Sequence, residues 1–293
     1  MKKSGNLWVS FFIGLVLLVG TCPGIKAGEL KFGLRLSGGM AYFNLGDVNA
    51  SIRGRVDYFK EESKKAGYPL SGDLQSLHFG LDAGVDLFLF LNPRLAFSLG
   101  SGYIAGSAGK GGQGLTIQET SETIHTTNEL RVQAIPITLG VYYFFPLGSD
   151  LRLYAGAGAS YYATKFKNSN KGDTEYGYWV DYQEDNGYGV GMSGSLGFEF
   201  NVAPAVAVFL EGSGQFAKIG NFEGKGEYTS TFDHETWTGK LYYYESYEWW
   251  TDRWYPTLDT LPEKPAESWM RNIREGIVDL SGFALRAGLR IQF

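Results

Sequence analysis

Three histidines and one cysteine are the whole supply of soft nucleophile and base chemistry in this 293-residue chain. His78 and His125 each have a serine or a glutamate nearby, and His234 lies in the last long loop. None of them has a nucleophile, a base and an orienting group in an arrangement that would build an acyl-transfer site. Asp173, Asp181, Glu184 and Asp185 could hold a divalent cation, but their spacing matches no calcium loop and also suits a solvated acidic loop. Gly109-Lys-Gly-Gly-Gln-Gly114 lacks the Lys-Ser/Thr and the following helix of a phosphate loop and reads as a loop tip. A net charge of -5 and a pI near 5.4 remove the electrostatic reason to expect nucleic acid. The expectation is a non-enzymatic protein with no cofactor and no metal.

Chemistry of another kind lies in charged residues placed at alternating positions, and these must be positioned by strands. The N-terminus first reads as an export signal over residues 1–27: Lys2 and Lys3 precede an apolar core from Trp8 to Val19, with small residues at the cut. Cys22 and three positive charges would leave with it, so residues 28–293 form a cysteine-free, more acidic mature chain. Beyond residue 27 no apolar run reaches the roughly 20 residues that a spanning helix needs.

The informative period is two. Phe32, Leu34, Leu36, Met40 and Tyr42 alternate with small or polar residues, and the pattern recurs in segments around 77–89, 95–103, 130–145, 151–161, 188–200, 206–216 and 283–293. One segment changes phase: Leu130 and Val132 lie on one parity and Ile137, Leu139 and Val141 on the other, which predicts a bulge at Ala134–Pro136. The apolar faces carry no charge. The opposite faces carry Arg35, Asp82, Asp86, Arg131, Arg152, Glu199, Glu211, Arg286 and Arg290 amid glycine, alanine and serine. Connections alternate between tight turns at 92–94, 146–150 and 201–205 and long polar loops at about 44–74, 106–125, 166–187 and 218–277. Aromatics gather near both ends of the apolar faces, as rings at two membrane interfaces do. A mean hydropathy of -0.16 therefore averages a greasy exterior with polar loops.

The final segment, Phe283-Ala-Leu-Arg-Ala-Gly-Leu-Arg-Ile-Gln-Phe293, resembles the C-terminal signature of outer-membrane β-barrels, with Phe283, Leu285, Leu289, Ile291 and Phe293 as its alternating apolar positions. The mature chain resembles the small eight-stranded barrels of the OmpA, OmpX and OmpW type. That resemblance implies an all-β, antiparallel, up-and-down transmembrane barrel of eight strands in the outer membrane of a Gram-negative-type envelope. It also implies extracellular loops at the cell surface, both termini in the periplasm, contact with outer-membrane lipid and lipopolysaccharide, and recognition by the barrel assembly machinery. No periplasmic peptidoglycan-anchoring role carries over. Members of this architecture differ in function: some are narrow, porin-like channels for small or hydrophobic ligands, and some are lipid-modifying hydrolases.

Eight strands leave an interior that side chains fill. The five arginines and four carboxylates above are nearly balanced, which favours a packed ion-pair network over a charge-selective pore. Val48, Ile52, Val56 and Phe59 predict a helix over 47–66 in the first loop, with Asp47 capping it and Gly67 ending it. Trp179, Trp237, Tyr243, Trp249, Trp250, Trp254 and Trp269 lie in loops, either as a recognition surface for a partner or a second copy, or as the packing of a hairpin that extends the barrel. The reading is an anchoring barrel whose loops act in adhesion, assembly or envelope integrity.

Overall fold

Strict alternation makes each segment a ribbon with two unlike faces, and such ribbons bury one face only by pairing into a curved sheet. The computed structural model describes residues 30–109, 114–119 and 122–293. The expected export signal at 1–27 and most of the 109–114 loop tip lie outside the described residues. In chain order the elements are β1 (Lys31–Phe43), α1 (Gly46–Ala66), β2 (Leu70–Gly72), β3 (Phe79–Phe90), β4 (Leu95–Ala108), β5 (Gly114–Gln118), β6 (Thr123–Pro146) and β7 (Leu151–Thr174). They continue as β8 (Gly177–Ala203), β9 (Val206–Ser230), β10 (His234–Glu248), β11 (Arg253–Leu261), β12 (Met270–Glu275), β13 (Val278–Asp279) and β14 (Gly282–Gln292). No described helix is long and apolar enough to cross a membrane.

Every pairing is antiparallel, and the pairings close on themselves. β1 pairs with β3, β3 with β4, β4 with β6, β6 with β7, β7 with β8, β8 with β9, β9 with β14, and β14 with β1 again. The expected count was eight strands; the described residues form fourteen, because segments read as loops make strands of their own. β2 and β5 add to β6, while β10, β11 and β12 extend β9 into a sheet beside the ring's mouth. At the opposite end the connections are tight. Asn92 Oδ1 accepts from the backbone N–H of Arg94 and Leu95 at 2.8 and 2.9 Å, an Asx turn that reverses the chain without a loop.

The bulge predicted at Ala134–Pro136 is absent. Ser101 pairs with Ile137 and Ile104 with Ala134 in one unbroken register, and Pro136 only interrupts the ladder with β4 because it has no N–H to give. The parity change has another cause. Outward residues on β6 are Phe145, Tyr143, Val141, Leu139, Ile137 and Ile135 and then, on the same parity, Gln133 and Arg131; inward residues run from Phe144 and Tyr142 to Ala134, Val132 and Leu130. The ring thus changes character along its length: at the turn end a greasy outer wall surrounds aromatic and ion-paired side chains, and at the loop end a polar outer wall surrounds an apolar interior. A bulge does occur on β9, where Asn221 takes a left-handed φ of 52° and the register against β8 shifts, so that Ala217 and Ile219 face inward below it and Phe222 above it.

Helix α1 fills the inward apolar end. Val48, Ile52 and Val56 are buried with Leu130, Val132, Phe166, Ile219, Phe222 and Leu280. Gly54 allows β11 to approach, since a Cβ there would lie 2.5 Å from the Pro256 carbonyl oxygen. Gly67 ends the helix in the left-handed conformation as predicted, at φ 76°. Asp47 is not the cap. Its carboxylate instead receives both Arg274 Nη atoms at 2.6 Å and the Ile277 N–H at 3.0 Å, tying α1 to the segment after β12.

Candidate functional site

The inward faces of the ring form three layers. At the turn end, Phe88, Phe90, Phe144, Tyr154 and Phe209 pack into a buried aromatic cluster with Tyr142 against it. Arg290 and Arg152 converge on the carboxylate of Glu199: Arg290 Nε and Nη2 donate at 2.7 and 2.8 Å, and Arg152 Nη2 donates to the same group. Above them Arg35 donates to Asp86 at 2.8 Å, to Glu211 at 2.7 Å and to the Tyr142 hydroxyl at 3.1 Å. Its guanidinium carbon lies 5.1 Å from the ring centres of Phe88, Tyr142 and Phe209, so aromatic faces wall the cation on several sides. Arg286 donates to Asp82 at 2.7 Å and lies 3.6 Å from Glu211.

Eight of the nine charged residues read as interior thus meet in two groups, Arg152, Glu199 and Arg290 toward the turn end and Asp86, Arg35, Glu211, Arg286 and Asp82 above it. The exception is Arg131, which is exposed on the outer wall of β6. The single sequence parity that groups it with Leu130 and Val132 in one segment misplaces it, because polarity changes sides above Ile135 while register does not. The middle layer is lined by small and hydroxylic residues, among them Thr138, Gly140, Gly156, Ser160, Ser193 and Ser213, around a cavity of about 50 Å³. That is room for a few waters rather than a conduit.

The loop-end layer holds Asn49, which the sequence did not single out, and the acidic run that it did. Asn49 on α1 donates to the carbonyls of Asn44 and Leu77 and accepts from the Leu77 N–H, at 2.9–3.0 Å, which pins the chain leaving the helix. Asp185 is fully buried and accepts two contacts from Thr260 Oγ1 at 2.9 and 2.8 Å. Burial pushes its carboxyl up to about 6, and the neighbouring Glu184 adds to the rise, while the Thr260 bond opposes it. Asp181 is raised for the same first reason, burial, with Asp259 adding to it. Glu184, one residue away but on the outer face, goes the other way. Hydrogen bonds from Lys165 at 2.8 Å and Lys167 at 2.6 Å hold it down at about 2. Asp173, Asp181, Glu184 and Asp185 therefore divide between two faces of the wall and do not converge. Among the described residues no three His, Cys, Asp or Glu side chains gather in a metal-binding group.

The histidines are dispersed. His78 Nδ1 lies 3.3 Å from the Phe43 carbonyl with its ring stacked on Tyr42, His125 Nδ1 lies 3.0 Å from Thr116 Oγ1, and His234 Nδ1 lies 2.9 Å from Thr229 Oγ1. The loop aromatics divide. Trp237 donates to the Thr260 carbonyl at 2.6 Å, Trp254 packs on Tyr247 and under Arg271, and Arg274 lies over Tyr243. Trp179 is partly buried on β8 beside Gly172. Trp249 and Trp250 instead meet edge to face at the tip of the β10–β11 turn, with Trp249 77% exposed, and Trp269 is exposed close to the same end. Phe283, Leu285, Leu289, Ile291 and Phe293 all face outward along β14 and the residue that follows it.

Residues 13–226 match the family model described as the outer membrane protein beta-barrel domain. Among solved structures the chain is similar to the crystal structure of the outer membrane protein OprG from Pseudomonas aeruginosa, at 10% identity and a TM-score of 0.42, covering 90% of this chain and 96% of that one. No curated protein matches the sequence. A family match over most of the chain joins the closed antiparallel ring and its one-sided apolar wall: the chain belongs to the outer membrane protein beta-barrel domain family.

Proposed function

We propose that the chain is a closed, non-enzymatic anchor in the outer membrane: an eight-stranded ring spans the bilayer and presents the α1–β10–β11 cap to the outside. The observation that carries the closed reading is the guanidinium of Arg35, which is walled by three aromatic rings and bonded to two carboxylates across the middle of the ring. Support for the span comes from the outer wall. From Phe145 to Ile135 the outward face of β6 is apolar, and at about 3.3 Å per residue and a tilt of about 40° this belt is roughly 25 Å tall. Tyr42 stacks on Phe283 and meets Phe79 edge to face at the loop-end border of that belt, while Phe32, Tyr143, Phe145 and Phe200 mark the other border. Export through the residue 1–27 segment and delivery by the barrel assembly machinery, reading the outward Phe283–Phe293 face, belong to the same proposal.

The protein reconstituted into planar bilayers is expected to insert without steady ionic current, because both the aromatic cluster and the plugging helix block the lumen. Reproducible single-channel steps from the wild type would overturn the closed reading and favour a narrow channel.

The cap is the proposed recognition surface, and Trp249 and Trp250 are its exposed aromatics. Large aromatics left in solvent at a loop tip contribute little to the fold and are enriched where proteins meet partners. In a cell-surface display assay, Trp249→Ala with Trp250→Ala is expected to abolish self-association or adhesion to abiotic and cellular surfaces while SDS resistance of the barrel is unchanged. Equal adhesion by the variant removes the tryptophans from that role.

A further inference from the structure

Arg131 lies where nothing inside the fold needs it. It stands on the outer wall in the second outward row above the apolar belt, with Gln133 beneath it, and among the described residues it makes no ion pair, Glu129 on the same face included. Its cross-strand neighbour on β7 is Lys167, and Gln133 faces Lys165 in the same way. Both lysines are directed at one carboxylate, Glu184, and Glu129 is the other anion on this face, so the patch holds three cations against two anions. Directly below Arg131 the outer wall is grooved. Phe79, Leu81 and Met40 stand proud on one side and Tyr103 on the other, around a floor of Gly80, Ala105 and Gly106, and the groove of about 520 Å³ ends at Arg131 and Gln133. Tyr103 is held upright by a 2.6 Å bond from Gln133 Nε2.

We propose that this patch is a binding site for a phosphate-bearing lipid of the surrounding leaflet: the phosphate sits against Arg131 and Lys167, and one acyl chain lies along the Gly80–Ala105–Gly106 floor. The charge decides the headgroup, since a net positive patch at an interface, with Arg131 in no ion pair, is complementary to phosphate and not to a zwitterion that brings its own cation. The shape decides that it is a lipid rather than free phosphate, since Arg131, with Lys167 beside it on the next strand, closes one end of a groove whose other walls are mostly apolar. The site rests on the proposal that the belt spans the membrane, and the choice of probe rests on the loop end facing the outer leaflet.

The test uses the full chain in neutral detergent, titrated with lipid A and read by native mass spectrometry, with phosphatidylcholine and inorganic phosphate as comparison ligands. Lipid A is expected to be retained in preference to both. Arg131→Gln is expected to weaken retention about fivefold, and Arg131→Gln with Lys167→Gln by about 25-fold, at roughly one such factor per cation near a membrane surface. Ala105→Trp, which fills the floor and leaves every charge in place, is expected to cut lipid A retention as strongly. Binding by these variants that equals the wild type, or phosphatidylcholine retained as well as lipid A, overturns the site. Inorganic phosphate that competes lipid A away would assign the patch to free anion and overturn the lipid assignment. The heat-modifiable shift of the wild type on SDS gels separates the two levels: lost lipid preference with the shift intact condemns the site alone, whereas a missing shift condemns the membrane-spanning reading beneath it.

Discussion

Glu199→Ala is expected to be the most damaging single substitution in the ring, costing about 3–5 kcal/mol of stability, the range for removing one partner of a buried ion pair. Glu199 is 2% exposed and is the only carboxylate that Arg290 and Arg152 contact among the described residues. Arg290 is itself 3% exposed, bonded otherwise to Gln292 at 2.8 Å and held over the Phe90 ring at 5.1 Å, so once its anion is gone its only other solvation is through the turn-end cavity it lines with Arg152. Glu211 is a weaker target because its neighbours are shared: Arg35 keeps Asp86 and Arg286 keeps Asp82. The measurement is a guanidinium titration in micelles followed by tryptophan fluorescence, together with the temperature of the SDS-gel shift. Glu199→Leu combined with Arg290→Met and Arg152→Met is expected to recover most of the loss, since well-packed apolar side chains replace the whole buried ionic group at little net cost. A Glu199→Ala midpoint within about 1 kcal/mol of wild type would mean that water reaches both guanidiniums, and that the buried pairing contributes little to the stability of the ring.

The parts of this molecule that were legible in its sequence are those written in a single period. The strand faces from Phe32 to Tyr42 and from Phe283 to Phe293 were readable because lipid-type apolarity on one side and glycine or serine on the other leave only one register in which both faces are satisfied. Arg131 was misread for the same reason in reverse. Parity identifies which residues share a face, but which face is inside depends on height along the barrel, and a helix entering the mouth turned the inner wall apolar at Leu130 and Val132. The missing bulge at Pro136 follows directly, while the real one at Asn221 is signalled only by a Gly-Asn pair that resembles any loop. The length of β10, β11 and β12 was hidden because Tyr242, Tyr244, Tyr255 and Leu258 bury against the rest of the cap, and nothing local says what they meet. Buried Asp185 was counted with a solvated acidic run; its neighbour Glu184 justified that view, and only the alternation of faces separates them.

That separation has a measurable consequence, because Asp185 and Glu184 titrate in opposite directions. Asp185 is raised to about 6 in the folded protein against about 3.9 in an unfolded chain, so the fold binds its proton more tightly than the unfolded state does. Its contribution is therefore fully present below about pH 4 and is lost as pH rises through 6, amounting to about 3 kcal/mol across that range. Asp181 is shifted the same way and reinforces it. Glu184, held at about 2, stabilises above its unfolded value of about 4.3 and loses that contribution only as pH falls toward 2, so the two effects occupy separate windows. Between about pH 4.5 and 7.5 the Asp185 term governs, and its effect is local: Thr260 bonds Asp185 through its hydroxyl and Trp237 through its carbonyl, which links the protonation state to the β10–β11 sheet that covers α1. Amide exchange of β11, corrected for the intrinsic pH dependence, is expected to lose roughly 25-fold protection from pH 4.5 to 7.5, with Trp237 emission shifting in step. Asp185→Asn keeps an acceptor for Thr260 and removes the charge, so its protection should be flat over that interval and exceed the wild type's at pH 7.5. An undiminished pH response in Asp185→Asn would assign the loosening to Asp181 beside Asp259, and a wild-type cap equally protected at both ends of the range would mean that water reaches Asp185 and leaves it ionised without cost.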